Sequence, residues 1–353
     1  MRCRPLRIFL FGLIIFMCLT QSAHAGTQGH YYPGVMGMRD IILPPKGVYA
    51  IYYDPIYYSN DLRNANGNSV SNVSMSVSET KDIRVYGHDI PIRLSAGLSA
   101  DINVSMMFTT EQLLLLWTTP WKILGADLGM LIAPSLGYVS IDTEVKAHAT
   151  GTISIGDFSK TVTKDETIKI NSSMYGFGDM LVQPVMLDWR GKRYDVGLYY
   201  GLWAPTGAYS ENRIANVGMG FCSQQFQVFG AYYFDDERKT ALITTGTYNL
   251  NSKKYDQNIA PGQSMTLEYA LSHYLTDRVE IGLSGYDQWQ ISPDTGSAAT
   301  DKNVFYQIHG IGGQIGGWVI KDKMSITTKC IYEYYGVDRF KGLLATANVI
   351  WVF

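Results

Sequence analysis

The sequence has no long apolar run after its first 25 residues, and it carries little charge. Its longest later apolar stretch, LLLLW at 113–117, is far shorter than the roughly 20 residues that a membrane-spanning helix needs. Charged residues make up 17% of the chain and the formal net charge is -2, so the basic surplus of a nucleic-acid-binding protein is missing. These absences exclude a helical membrane protein and a nucleic-acid partner.

Cysteine is also scarce, because the chain has only four and two of them, Cys3 and Cys18, lie within the first 25 residues. Cys222 and Cys330 remain for the rest of the chain. In an oxidising compartment these two either form one disulfide or stay unpaired. The sequence does not indicate a disulfide.

Motifs for catalysis and metal binding are missing as well. The six histidines lack the spacing of metal ligands, and no G-x-S-x-G nucleophile motif occurs. Ser284, Asp287 and His309 could form a catalytic triad, but isolated pairs of such residues more often form hydrogen bonds in loops. We therefore expect no enzymatic activity, no metal and no cofactor.

The first 25 residues have the features of a secretory signal peptide. Three arginines precede an apolar run at 8–19, and the run is followed by AHA, which ends at Ala25. The apolar run is too short to span a bilayer, so we expect cleavage after Ala25 and export of residues 26–353.

Alternation with a period of two residues dominates the chain after residue 46. At 279–289, Val279 and Leu283 share one side, while Glu280 and Ser284 share the other. The same pattern recurs at 126–138, 194–202, 265–276 and 324–334. Such alternation predicts β-strands with one apolar side and one polar or small side.

Three features distinguish a membrane barrel from a soluble β-sandwich, which also alternates. Tyrosine and tryptophan lie near the ends of the apolar sides, as expected at a lipid–water boundary. The connections alternate between short and long. The last strand has one apolar side that ends in the terminal aromatic Phe353, the kind of C-terminus that the outer-membrane assembly machinery recognises.

The lengths of the connections give the orientation. Short connections are expected near 119–125, 190–193, 236–238, 277–278 and 321–323, and they face the periplasm. Long connections are expected near 61–103, 142–172, 205–223, 251–263, 293–303 and 339–342, and they face outward.

The resulting fold prediction is all-β: a transmembrane, antiparallel, up-and-down β-barrel of about 12 strands over residues 47–353. An open sheet edge in hydrocarbon would leave backbone groups unpaired, so the sheet must close. The segment 83–103 could hold two more strands, which makes 14 the alternative count.

Residues 26–46 do not read as a strand of the wall. Pro33, Pro44 and Pro45 cannot donate backbone hydrogen bonds, and several glycines weaken any strand. We expect either a plug inside the barrel or a periplasmic tail packed on its base. As a plug, the segment would offer an aromatic and methionine-rich surface to an apolar solute, formed by His30, Tyr31, Tyr32, Pro33, Met36 and Met38.

Charged side chains on the polar sides of the strands are expected to face the lumen, because basic residues on the lipid side cost roughly 2–4 kcal/mol. The candidates are Asp127, Asp179, Asp195, Glu268, Glu280, Lys329 and Glu333. They either form an acidic lumen that orients polar groups or an internal network with Lys329 and arginines such as Arg39.

Seven motifs, in order along nearly the whole chain after residue 25, carry a resemblance to a known family. They are GHYYPG with PPKGVYAIYY at 29–53, TTPWKILGADLG at 118–129, GFGDMLVQPVMLDW at 176–189, APTGAY at 204–209, GYDQWQISPDTG at 285–296, HGIGGQIG at 309–316 and KCIYEYYGVDRFKG at 329–342. The chain resembles the outer-membrane proteins grouped under the meta-pathway of phenol degradation. The resemblance implies a transporter-like barrel for apolar, often aromatic, small molecules, and the match is loose at 219–250.

The sequence therefore predicts a barrel in the outer membrane of a Gram-negative bacterium that permits passive passage of small hydrophobic or aromatic molecules. The expected partners are outer-membrane lipid, the barrel-assembly machinery through Phe353, and a small apolar solute. The alternative is a structural or surface barrel without transport, whose segments near 61–103 and 142–172 serve adhesion or interaction.

Overall fold

The computed structural model describes residues 29–86, 88–299 and 302–353, and the predicted signal peptide lies outside these ranges. Fifteen β-strands account for most of the described chain. No helix among the described residues is long and apolar enough to cross a bilayer.

The strands follow one another along the chain with mostly short connections on one side and longer ones on the other. Their bounds are β1 Gly47–Ser59, β2 Asn72–Val85, β3 His88–Ile123, β4 Ala126–Ala133, β5 Ser135–Ile155, β6 Phe158–Phe177, β7 Met180–Arg190, β8 Tyr194–Ala204, β9 Ser223–Tyr233, β10 Thr240–Asn251, β11 Ser264–Tyr274, β12 Val279–Gln290, β13 Gln307–Ile320, β14 Met324–Val337 and β15 Leu343–Val352.

Twelve of the strands form a closed antiparallel barrel. Neighbouring strands pair in the order β1, β15, β14, β13, β12, β11, β10, β9, β8, β7, β4, β3. The ring closes because β1 also pairs with β3, from Gly47 opposite Thr118 to Ser59 opposite Met106. The prediction of an all-β barrel with about 12 strands is confirmed, and closure gives every barrel strand two neighbours.

The remaining strands correct the prediction for the long connections. Residues 72–103 and 142–172 were expected to be outer loops, but they are largely β-strand. They form most of a second compact unit, whose described residues are 69–86, 88–105 and 142–171. The alternative count of 14 is also wrong, because 83–103 supplies no additional strand to the barrel ring. These segments alternate with a period of two residues, but their many serines and threonines give them the composition of a polar loop.

Burial follows the predicted sides of the barrel strands. On β12, Leu283 is 63% exposed, whereas its neighbour Ser284 is 8% exposed and Glu280 is 5% exposed. On β15, Leu343 and Trp351 are exposed while Asn348 is buried. The apolar sides therefore point away from the barrel interior, as a lipid-facing surface requires. Cys222 and Cys330 are free thiols, so the disulfide alternative is wrong.

The short connection between β9 and β10 shows how the turns are fixed. The Asp235 carboxylate accepts hydrogen bonds from the backbone N–H groups of Lys239 and Thr240, both at 2.7 Å. These bonds lower the pKa of the Asp235 carboxyl below its ordinary value, because they favour the ionised form. The turn is thus held by one side chain that caps two backbone donors.

The outer side of β12 provides a test of the lipid-facing assignment. Leu283→Arg places a charge near the middle of the strand and should lower the free energy of unfolding by about 2–4 kcal/mol. Val279→Arg, at the start of the same strand, is the matched control and should cost about 0–1 kcal/mol. Urea unfolding of protein refolded in lipid vesicles measures both, and equal losses at the two positions would contradict the assignment.

Candidate functional site

The described part of the N-terminal region, residues 29–46, contains no strand and is called here the N-terminal segment. At Gly34 the backbone has φ +83°, a value that favours glycine. A Cβ on Gly34 would lie 2.8 Å from Tyr286 Cε1 and 2.9 Å from Ile331 Cδ1, both on inner-side residues of the barrel. The segment therefore lies against the inner side of β12 and β14.

His30 is held at the end of the barrel where the long connections lie. Its Nε2 is 2.9 Å from the Asp179 carboxylate, and its Nδ1 is 2.6 Å from the Ser223 hydroxyl. The ring stacks on Trp203 at a centroid distance of 5.5 Å and contacts Phe221 edge-on at 4.7 Å. His30 is thus fixed by polar contacts at both ring nitrogens and by aromatic contacts at its faces.

Glu268 on β11 binds the next part of the segment. Its carboxylate accepts hydrogen bonds from the Tyr31 hydroxyl and from the Gly34 backbone N–H, the latter at 2.7 Å. Gln288 donates to the Tyr31 carbonyl at 3.1 Å. One acidic side chain therefore satisfies a backbone donor and a phenol, groups that would be costly to bury alone.

The middle of the segment is bound by three inner-side residues of neighbouring strands. Lys329 donates to the Met36 carbonyl, and Asn348 donates to the Val35 carbonyl at 3.1 Å. The Met38 N–H donates to the Gln314 side chain at 3.1 Å. The segment does not pair with a β-strand, so these side chains supply the hydrogen bonds that strand pairing would otherwise give its backbone.

Arg39 forms an ion pair between the segment and the barrel. Its Nε lies 2.7 Å from the Glu280 carboxylate and 2.7 Å from the Ser272 hydroxyl. Its other two nitrogens donate to the carbonyls of Arg238 and Lys239 at 3.0 and 2.8 Å. This contact lies at the end of the barrel with the short connections. This ion pair is of the kind that the predicted internal network requires, and the network as a whole stays a prediction.

Residues that the sequence did not single out hold the last part of the segment. Asp188 on β7 accepts from the Leu43 N–H at 3.1 Å, and the Tyr199 hydroxyl donates to the Ile41 carbonyl at 2.6 Å. Asp188 is 1% exposed and follows the alternation of β7, so that pattern could have identified it. No local pattern could have identified its backbone partner.

Apolar packing supplements these polar contacts. Ile41 and Leu43 belong to one buried cluster with inner-side residues such as Leu116, Met186 and Phe229. Tyr32 contacts Phe108 edge-on at a centroid distance of 4.6 Å. The interior of this barrel is therefore packed around the N-terminal segment like a protein core.

All six predicted solute-contact residues lie in this segment. His30, Tyr31, Pro33 and Met38 are buried, whereas Tyr32 and Met36 are half-buried. Their contact with a solute stays a prediction.

The predicted lumen-facing charges are distributed over several separate clusters. Glu268, Glu280 and Lys329 contact the N-terminal segment, as described above. Asp195 accepts from the Tyr233 hydroxyl at 2.6 Å, and Asp127 lies 3.1 Å from the Lys122 ammonium. These charges therefore do not form one acidic lining.

Glu333 forms the centre of a further cluster that does not include the segment's backbone. It accepts from the hydroxyls of Tyr57 and Tyr286 at 2.8 and 2.7 Å. Nearby, Arg339 is 2% exposed and donates to the Gln288 side chain at 2.9 Å. Arg339 lies in a segment predicted to be an outer connection, so its burial was not foreseen.

Asp179 corrects the prediction that all these residues lie in wall strands. It lies between β6 and β7, and besides His30 it accepts from the N–H groups of Gly207 and Met219 at 2.8 and 2.7 Å. The side chain ties a long connection to the end of the N-terminal segment.

The possible catalytic triad of Ser284, Asp287 and His309 does not form. His309 Nδ1 lies 2.5 Å from the Asp287 carboxylate, but Ser284 lies on the opposite, inner side of β12. Within the described ranges, no group of three or more His, Cys, Asp or Glu residues could hold a metal ion.

The closed antiparallel barrel with its apolar outer side and packed interior is that of an outer-membrane protein of Gram-negative bacteria. The chain belongs to the family described as the MetA-pathway of phenol degradation, whose model matches residues 92–348. The resemblance seen in the sequence is therefore confirmed. Among curated proteins, none matches this sequence.

A solved structure supports the fold. The COG4313 outer membrane channel from Pseudomonas putida F1 aligns with a TM-score of 0.57 and 14% identity, over 92% of this chain and 100% of that chain. A FadL homologue from Pseudomonas aeruginosa aligns with a TM-score of 0.28 and 11% identity, over 94% and 96% of the two chains. The TodX deltaS2S3 mutant monoaromatic hydrocarbon channel gives 0.38 and 8%, over 94% and 98%. Only the first of these similarities is close enough to bear on the fold.

Arg39 provides a test of how firmly the segment is held. Arg39→Met leaves the buried Glu280 without its cation and should lower the free energy of unfolding by about 3–5 kcal/mol. The double change Arg39→Met with Glu280→Leu removes both charges and should recover most of that loss. Urea unfolding in lipid vesicles measures both variants, and a single variant as stable as the unaltered protein would show that the contact is unimportant.

Proposed function

We propose that the protein is an outer-membrane channel for the passive passage of small hydrophobic or aromatic molecules, with residues 26–46 as its plug. The observation that carries this proposal is the N-terminal segment bound inside the barrel by residues of both ends. His30 is bound at the end with the long connections, and Arg39 is bound at the end with the short ones. A solute can cross the lumen only if this segment moves.

The chemistry of the segment supports an apolar solute. Tyr32 and Met36 are half-buried rather than fully packed, so part of their apolar surface is available. Methionine adapts its shape to different apolar partners, and aromatic rings present large apolar faces. The family's association with phenol degradation fits aromatic solutes.

A structural or surface-interaction role is the second candidate, and one observation favours it. The unit of residues 69–105 and 142–171 is built of strands and exposes apolar side chains such as Val77 and Val162. A strain without the gene separates the two candidates. Normal uptake of apolar aromatics with lost surface attachment would favour the second candidate.

Removal of residues 27–45 tests the plug. The lumen loses its packed segment, so single-channel conductance in planar bilayers should rise severalfold above that of the full chain. Heat-dependent gel mobility serves as the control that the shortened protein still forms a barrel. An unchanged conductance in a folded barrel would contradict the plug.

A reversible lock tests whether the segment must move. The lock is Val35→Cys with Asn348→Cys, in a background of Cys222→Ser and Cys330→Ser. At these two positions the Asn348 side chain donates to the Val35 backbone carbonyl at 3.1 Å, so the segment and β15 are in contact. Oxidation should abolish uptake of radiolabelled toluene by cells, and reduction should restore it. Full uptake by the oxidised protein would mean that passage does not require movement of the segment.

A further inference from the structure

The unit of residues 69–105 and 142–171 is a four-stranded antiparallel sheet with two chemically different sides. It consists of β2, the first part of β3, the second part of β5 and the first part of β6, in that order across the sheet. Pairing of Val77 with Ala96 and of Met75 with Leu98 places apolar residues of β2 and β3 on one side. Serines of β2 at positions 74, 76 and 78 fall on the other.

Several side chains on the polar side of this sheet have partners within the sheet. Glu144 lies 2.9 Å from Lys169, and the hydroxyls of Thr152 and Thr161 are 2.9 Å apart. His148 pairs with Asp165 on the same side. These six side chains therefore have partners within the sheet.

The apolar side has no comparable cover among the described residues. Val77 is 67% exposed, Val162 is 63% exposed, and Met75, Leu94 and Ile153 are also exposed. Contiguous exposed apolar surface of this kind marks an interaction site in soluble parts of proteins.

Charged residues of this apolar side lie on its two edge strands: Glu79 and Lys81 on β2, and Lys160, Lys164 and Glu166 on β6. Glu79 is on β2 and Lys160 is on β6, and within the described chain neither forms an ion pair. The acid and the base are therefore unpaired and separated by the width of the sheet.

The register places Glu79 and Lys160 in one row across the sheet. Glu79 is opposite Leu94. Thr150 donates to the Gly97 carbonyl at 3.5 Å, so Leu94 and Ile153, each three positions further toward the hairpin ends, lie level.

The last two strands complete the row. The contacts of Thr152 with Thr161 at 2.9 Å and of Ser154 with Ser159 at 3.1 Å place Ile153 beside Lys160. The row therefore runs from an acid at one edge to a base at the other.

We propose that this apolar side binds the same side of a second copy of the chain, which forms a two-fold symmetric β-sandwich. A two-fold axis parallel to the strands places β2 of one copy over β6 of the other. Glu79 of each copy then meets Lys160 of its partner, and Val77 packs against Val162. The contact is isologous and buries the apolar sides as in other aligned sandwiches.

The charge pattern favours a second copy over other occupants. An axis perpendicular to the strands would place β2 over β2 and leave like charges together. Lipid chains on this side would leave Glu79 and Lys160 without partners in an apolar environment. The proposal is independent of the channel function.

Disulfide cross-linking in isolated outer membranes tests the arrangement. Glu79→Cys with Lys160→Cys, in the Cys222→Ser and Cys330→Ser background, should give a dimer on non-reducing gels after mild oxidation. Ser78→Cys with Thr161→Cys is the matched control. These positions are next to Glu79 and Lys160 in the sequence but lie on the polar side of the sheet, so this variant should stay monomeric. Absence of the first dimer, or equal dimer from both pairs, overturns the proposal.

Charge exchange provides the second measurement. Glu79→Lys or Lys160→Glu alone places like charges together and should lower the dimer fraction in lipid nanodiscs about fivefold, as expected for an exposed ion pair turned repulsive. The double exchange should restore it. Heat-dependent gel mobility establishes that each variant is folded. A dimer fraction that stays low in the double exchange, or a folded unaltered protein that is only monomeric, overturns the proposal.

Discussion

Backbone hydrogen bonding in a water-free environment is the constraint on which this structure depends. Each barrel strand must have a partner on both edges, because unpaired backbone groups in hydrocarbon cost several kcal/mol. The pairing of β1 with both β15 and β3 meets this requirement. Once the ring is closed, the outer sides of the strands must be apolar, and the polar side chains are left to the interior.

The polar and charged side chains of the interior then need hydrogen-bond partners of their own. Charged groups such as Glu280 and Lys329 are buried there, and a narrow barrel gives them little water. The N-terminal segment solves the problem because its irregular backbone offers unpaired N–H and carbonyl groups. Glu268, Gln314 and Asn348 bind these groups, and Arg39 supplies the cation for Glu280. Barrel and segment therefore complete each other's hydrogen bonds.

Much of the fold could be predicted from the sequence because its signal is local. The alternation of β12 predicts that Leu283 is exposed and Ser284 is buried. The prolines at 33–45 predict that this region is not a strand. The strands in 72–103 were missed because serine-rich alternation resembles a loop. Partners such as His30 and Asp179, 149 positions apart, depend on how the segment lies in the barrel, which no single-sequence pattern encodes.

The position of the segment also constrains the order of assembly. The segment precedes β1 in the chain, yet it contacts residues of β7, β11 and β13 to β15. In chain order, β15 is the last strand to form, and its pairing with β1 seals the ring. A segment bound at both ends cannot easily be threaded into a sealed cylinder. Placement of residues 29–46 before β1 pairs with β15 would avoid this threading step.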